Sequence, residues 1–128
     1  MNSTKKIIGI DGTRSRKFPK DKKAVIEAFD EIYEEGDWIC SGGCAEGADA
    51  FANQIAKKRG IPILTFYPDW DKYGKVAALR RNTDIAKISN VLIACVTKER
   101  LGGGTEDTIS KFQIFHPYAK PGEYLILV

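Results

Sequence analysis

Asn90-Val91-Leu92-Ile93-Ala94-Cys95-Val96 is apolar in all but its first residue, and Gly102-Gly103-Gly104 follows after a five-residue linker. A run this short and this apolar predicts a strand buried on both faces, as in a parallel sheet covered by helices. The flanks agree. Upstream, Gly74 to Ser89 carries the apolar spacing of a helix. Downstream, Thr105 to Phe115 predicts another helix, and Tyr124 to Val128 (YLILV) a last strand.

The same alternation extends to the start of the chain. Lys5 to Ile10 predicts a first strand that ends at Asp11-Gly12-Thr13-Arg14. Lys22 to Glu35 places Ala24, Val25, Ala28, Phe29, Ile32 and Tyr33 on one helical face, with Asp21 as the expected N-cap and Gly36 as the stop. Trp38-Ile39-Cys40 predicts a second strand. Ala48 to Arg59 predicts a helix stopped by Gly60, and Ile61 to Tyr67 a third strand ended by Pro68. Strands alternating with helices throughout define a three-layer α/β class with a mainly parallel five-stranded sheet and about four helices. The expected strand order is 3-2-1-4-5. No repeat or low-complexity tract interrupts it, so residues 1–128 are expected to form a single domain.

Composition narrows the function. The 128 residues are 43% hydrophobic and 29% charged, ordinary for a soluble globular protein. No apolar run approaches the roughly 20 residues of a membrane helix. The N-terminus lacks the apolar core of a signal peptide, so a cytoplasmic location and no membrane partner are expected. A net charge of +3 is too mild for a dedicated nucleic-acid surface and suits a small anionic ligand. Cys40, Cys44 and Cys95 are odd in number and lack CxxC spacing, and His116 is the single histidine. A disulfide framework, a metal site and a Ser-His or Cys-His mechanism are all disfavoured, and no cofactor is expected. Cys40 and Cys95 lie in apolar runs and are expected in the core.

Twelve glycines carry the positional information. Gly12, Gly42, Gly43, Gly47, Gly74 and Gly102 to Gly104 all follow predicted strand ends. In a parallel sheet, ligands bind at that edge, where the strand order switches direction. Ser41-Gly42-Gly43-Cys44-Ala45-Glu46-Gly47-Ala48-Asp49 joins a strand to a helix, with Asp49 on the first helical turn. Its amides could face an anion, or the glycines could only pack strand to helix. Gly103, Gly104, Thr105 and Glu106 repeat the arrangement. There Thr105 can cap the helix, and Glu106 and Asp107 complement its positive end. Asp69, Trp70, Tyr73, Gly74 and Lys75 crowd a strand end and a helix start. The aromatics could stack on a base or cover the sheet edge. Arg81 and Asn82 follow, with Arg81 a planar fork for phosphate or part of a solvated face. Thr13 and Arg14, beyond Gly12, could neutralise an anion at the switch point or belong to a basic run with Arg16, Lys17 and Lys20. The spacings GxxxxGK[ST] and GxGxxG are both absent, which disfavours a standard ATPase or dinucleotide dehydrogenase.

Four segments in this order, Gly12-Thr13-Arg14, Ser41 to Asp49, Pro68 to Asn82 (PDWDKYGKVAALRRN) and Gly102 to Ile109 (GGGTEDTI), resemble the SLOG superfamily of Rossmann-like proteins. That group takes in DNA-processing protein A and the Lonely Guy phosphoribohydrolases, and the closest likeness is to its small YspA-type branch. The resemblance implies a site for a nucleotide or nucleotide-derived ligand, a nucleoside phosphate or an ADP-ribose-like molecule, held for sensing or sequestration. It implies that Ser41, Gly42 and Gly43 line the ligand together with Gly103, Gly104 and Thr105. It also places Arg81 and Asn82 at the family's Arg-Asn pair. The enzymatic relatives release a base from nucleoside monophosphates through a PGGxGTxxE motif. Here Leu101 rather than a proline precedes the glycines, and Thr108 stands three residues after Thr105, where the motif has its glutamate, while Glu106 lies about 200° away around the helix. An N-glycosidase would therefore draw its carboxylate from Glu46, Asp49, Asp69 or Glu106. Single-stranded DNA binding is a further alternative by analogy with the DNA-processing relative, though the mild charge opposes it. Homo-oligomers are common in the superfamily and are possible here.

Overall fold

A computed structural model describes residues 5–97, 104–117 and 124–128. Strands β1 (Ile7–Gly12), β2 (Trp38–Ser41), β3 (Ile63–Thr65), β4 (Val91–Cys95) and β5 (Tyr124–Leu127) alternate with helices α1 (Pro19–Ile32), α2 (Ala48–Arg59), α3 (Trp70–Tyr73), α4 (Ala77–Ile88) and α5 (Gly104–Phe115). All strands pair in parallel, in the order β3-β2-β1-β4-β5 anticipated from the sequence.

β4 is buried at every residue. Its side chains alternate between two cores. Ile93 and Cys95 face α1 and α2, where they meet Ile8, Ile10, Val25, Phe29, Ile39, Phe51 and Ile55. Leu92 and Ala94 face α4 and α5, where they meet Cys40, Ile85, Ala86, Ile109 and Phe112. Each of the large side chains contributes roughly 1.5–3 kcal/mol when fully buried. This double layer explains the unbroken apolar run. Cys40 and Cys95 are both fully buried, as their apolar setting indicated.

Several boundaries differ from expectation. α1 begins at Pro19 rather than Lys22, because proline at the first helical position has its φ already set. Asp21 is therefore not the N-cap. It sits in the first turn and accepts the Phe18 N–H at 3.1 Å. α1 also ends at Ile32, leaving Gly36 in the turn to β2. The expected third helix is broken in two. Gly74 has φ +57, a left-handed value that closes α3 and starts a single 3₁₀ turn, Gly74–Val76, before α4. Finally, Thr105 lies inside the first turn of α5, which already begins at Gly104.

No described helix is long and apolar enough to cross a membrane. β2 and β3 lie to one side of β1, and β4 and β5 to the other. The chain thus diverges between the carboxyl ends of β1 and β4, which opens a cleft there.

Candidate functional site

The cleft has a volume of about 440 Å³. Its walls are the end of β1 and the following loop (Asp11, Gly12, Thr13, Arg14, Ser15), Cys44 and Asp49 at the start of α2, and Ala78, Arg81 and Asn82 on α4. Val96 and Thr97 after β4 and Gly104, Thr105 and Glu106 of α5 complete it. Ala78, Arg81 and Asn82 share a helical face at spacings of three and four, and Ile85 continues that face into the core.

Hydrogen bonds hold this wall in one arrangement. Arg81 donates through Nη1 to the Gly42 carbonyl at 2.5 Å and through Nε to Asn82 Oδ1 at 2.9 Å. Asn82 in turn donates to the Gly104 carbonyl at 3.1 Å and to Asp107 Oδ2 at 3.2 Å. Asp107 also receives Lys111 Nζ at 2.8 Å. Arg81 and Asn82 thus tie the loop after β2 to the N-terminus of α5. Gly42 makes this possible, because a Cβ there would stand 2.6 Å from Arg81 Nη1 and 3.0 Å from Asp49 Oδ2.

The Ser41 to Asp49 loop differs from the open anion cradle its glycines suggested. Its amides already have an anion. Asp49 Oδ2 accepts the Cys44 N–H at 3.0 Å, and the Gly42 N–H also serves this carboxylate. A side chain of the loop's own helix thus takes up the amides that the sequence offered to an anion. Gly12 likewise serves packing: a Cβ there would stand 2.7 Å from the Cys95 carbonyl and 2.9 Å from Ala48 Cβ.

Two buried carboxyls dominate the electrostatics. Burial pushes the Asp49 carboxyl up to about 6, and the nearby Asp11 charge adds to the rise. The Cys44 and Gly42 amides and Arg81 act in the opposite direction. Burial also raises the Asp11 carboxyl, against the Thr108 hydroxyl, the Gly12 N–H and Arg81. Thr108, at the place of the family's glutamate, is fully buried, and its single hydroxyl proton has two acceptors within reach, the Gly104 carbonyl at 3.1 Å and the Asp11 carboxyl.

Of the residues singled out in the sequence, Gly12, Thr13, Arg14, Asp49, Arg81, Asn82, Gly104, Thr105 and Glu106 line this cleft. Ser41, Gly42, Gly43 and Gly47 do not. Ser41 and Gly42 are buried behind it, and Tyr67 lies over Gly43. Glu46 is exposed and pairs with Lys17 at 3.1 Å. Asp69 caps α3 by accepting the Lys72 N–H at 3.1 Å, and Trp70, Gly74 and Lys75 are exposed away from the cleft. The Tyr73 ring carries Arg80 at 4.1 Å and Lys72 at 5.1 Å, so cations occupy the ring offered by the sequence as a base-stacking surface. Gly103 falls outside the described residues. Among the four candidate catalytic carboxylates, Asp49 and Glu106 reach the cleft.

Asp11 was missed as a site residue. It reads as the first residue of a turn, yet β1 runs through Gly12 and carries it into the cleft. The available signal was a carboxylate ending an otherwise apolar strand. Among the described residues, no three His, Cys, Asp or Glu side chains gather as a metal site.

A five-stranded parallel sheet with a polar cleft at its switch point defines a Rossmann-like α/β protein. Within that class, residues 12–73 match the model of the YspA, cpYpsA-related SLOG family. The likeness to the YspA-type branch of the SLOG superfamily, read first from the four motifs, is borne out over that stretch. No curated protein and no solved structure shows a significant match.

Proposed function

We propose that the cleft binds a nucleotide or a nucleotide-derived ligand, a nucleoside phosphate or an ADP-ribose-like molecule, for sensing or sequestration. The observation that carries this reading is the convergence of Arg14, Arg81 and the N-terminus of α5 on one cleft at the switch point. Arg14 is exposed and makes no hydrogen bond or ion pair with a described residue, so its charge is available to a phosphate. The matched SLOG family model is consistent with a nucleotide-related ligand. Calorimetric titration with nucleoside mono- and diphosphates and ADP-ribose tests it. Saturable binding that Arg14→Ala weakens is expected. A panel with no binding refutes it.

One observation favours a second reading, hydrolysis of the N-glycosidic bond. Asp49 lines the cleft with a carboxyl raised to about 6, near the range where a group can both give and take a proton. Chromatographic detection of released base, abolished in Asp49→Asn, is the expected result. Binding without base release refutes this reading and leaves the first intact.

A further inference from the structure

Ser15, Val96 and Thr97 line the cleft and also line a second cavity of about 550 Å³, which extends to Arg16, Phe18 and Asp21 at the entry to α1. The two cavities therefore adjoin, and they differ in what they offer. None of the described residues lining the first is aromatic. The second is lined by Phe18, which is 53% exposed. Single exposed apolar residues are common on protein surfaces. This one lines a concavity that shares a wall with the candidate site.

The backbone under the ring is fixed. The Phe18 N–H donates to Asp21 Oδ2 at 3.1 Å, and the Phe18 carbonyl accepts the Asp21 and Lys22 amides at 2.9 and 3.1 Å. Asp21 is buried and receives Arg16 Nε at 2.9 Å. Arg16 Nη1 in turn donates to the Val96 carbonyl at 2.8 Å and to the Val128 carbonyl. The Asp21–Arg16 pair thus ties Phe18 to the chain just beyond β4 and β5. A ring held this way loses little freedom when a flat group covers it.

The charges of the second cavity are a poor match for another phosphate. Arg16 is engaged with Asp21 and two carbonyls, and Asp21 brings the opposite charge to the same wall. Lys20 also lines the cavity but is exposed, where an ion pair contributes little. What remains is an aromatic face with Val96 nearby, a surface for a flat group of low charge. Every nucleobase presents such a face.

We infer that the base of the ligand lies in this second cavity, stacked on Phe18, with its phosphate in the first cavity beside Arg14. The inference rests on the nucleotide reading and adds to it a base subsite and a ligand class: nucleotides that retain their base, in preference to sugar phosphates. Stacking of one base on one ring strengthens binding on the order of 10- to 100-fold.

The test compares AMP and ADP-ribose with ribose 5-phosphate, by calorimetry, on the unaltered chain and on Phe18→Ala and Phe18→Tyr. The base-bearing probes are expected to bind about 10- to 100-fold tighter than ribose 5-phosphate. Phe18→Ala should remove most of that advantage and leave ribose 5-phosphate within about 2-fold, whereas Phe18→Tyr keeps the ring and should keep the advantage. A merely structural role for Phe18 would weaken all three probes alike. Phe18→Trp supplies a second readout: AMP should change its indole emission in a way absent from the unaltered chain, and ribose 5-phosphate should not. Equal affinities for AMP, ADP-ribose and ribose 5-phosphate, or an advantage that Phe18→Ala leaves intact, overturn the inference and leave phosphate binding in the first cavity standing. Absence of binding by every probe overturns the nucleotide reading with it. The comparison of probes on the unaltered chain needs no variant, so a misfolded substitution does not spare the inference.

Discussion

Replacing Asp49 by Asn should change how stability depends on pH, and in a direction opposite to ordinary acid denaturation. In the unfolded chain the Asp49 carboxyl titrates near 3.8; in the folded protein burial and the Asp11 charge hold it at about 6. Between those values the native state keeps a proton that the unfolded state has lost. Stability therefore falls as pH rises from about 4 to about 6, and it levels off above. A displacement of roughly 2 units corresponds to about 3 kcal/mol. For a chain of this length that is on the order of 10 °C in Tm. The assay is urea unfolding of the ligand-free chain and of Asp49→Asn at half-unit steps from pH 4 to pH 8. The quantity of interest is the difference between the two curves, in which every unaffected group cancels. The wild-type chain should lose about 3 kcal/mol relative to the variant across that window. Curves parallel to within about 0.5 kcal/mol, or a difference of opposite sign, would refute the electrostatic picture of the cleft floor.

Three further outcomes follow from the geometry. Asp37 is 1% exposed, pairs with Lys6 Nζ at 2.6 Å and accepts the Lys6 and Glu34 amides, so Asp37→Asn should lower the unfolding free energy by about 3 kcal/mol. Its carboxyl, like that of Asp21, is held below the ordinary range despite burial, by its lysine or arginine partner and backbone donors. That stabilisation is present above about pH 4 and lost as pH falls through the folded value, so acid unfolding should be shallower in the variant. Gly12→Ala sets a methyl against the Cys95 backbone and should destabilise by about 1–3 kcal/mol in denaturant titration; an unchanged midpoint would contradict the packing. Thiol labelling at pH 8 should modify about one equivalent, at half-buried Cys44. Cys40, whose thiol burial pushes up to about 12, and buried Cys95 should react only after unfolding.

Much of the architecture was readable in the chain. The run from Val91 to Cys95 predicted a strand buried on both faces, and the two cores on either side of β4 supply the reason. Gly60 stops α2 in the left-handed conformation expected of it. The boundaries that shifted did so where local geometry outweighs periodicity. Pro19 starts a helix three residues early, and Gly74 divides one helix from another. The candidate site was legible as an edge and less so as a set of residues. Arg81 and Asn82 stood out as polar residues within an apolar pattern, and they lie on the cleft. Trp70 and Tyr73 stood out equally, yet α3 carries them elsewhere.

Periodicity, glycine placement and the order of four motifs thus determine the parallel α/β class, the strand order and the edge on which a site forms. These are properties of neighbours along the chain, where the spacing of apolar side chains and the demands of tight turns are written directly. Tertiary structure decides what the residues at that edge do for one another. Only folding brings the Asp49 carboxylate onto the amides of Gly42 and Cys44, lays Arg80 over Tyr73, and lets the Asp11 and Arg81 charges act on Asp49. Charge, hydrogen-bond capacity and burial are shared between residues distant in sequence. Whether a glycine loop offers its amides to a ligand or to its own helix depends on which acceptor reaches them first in space.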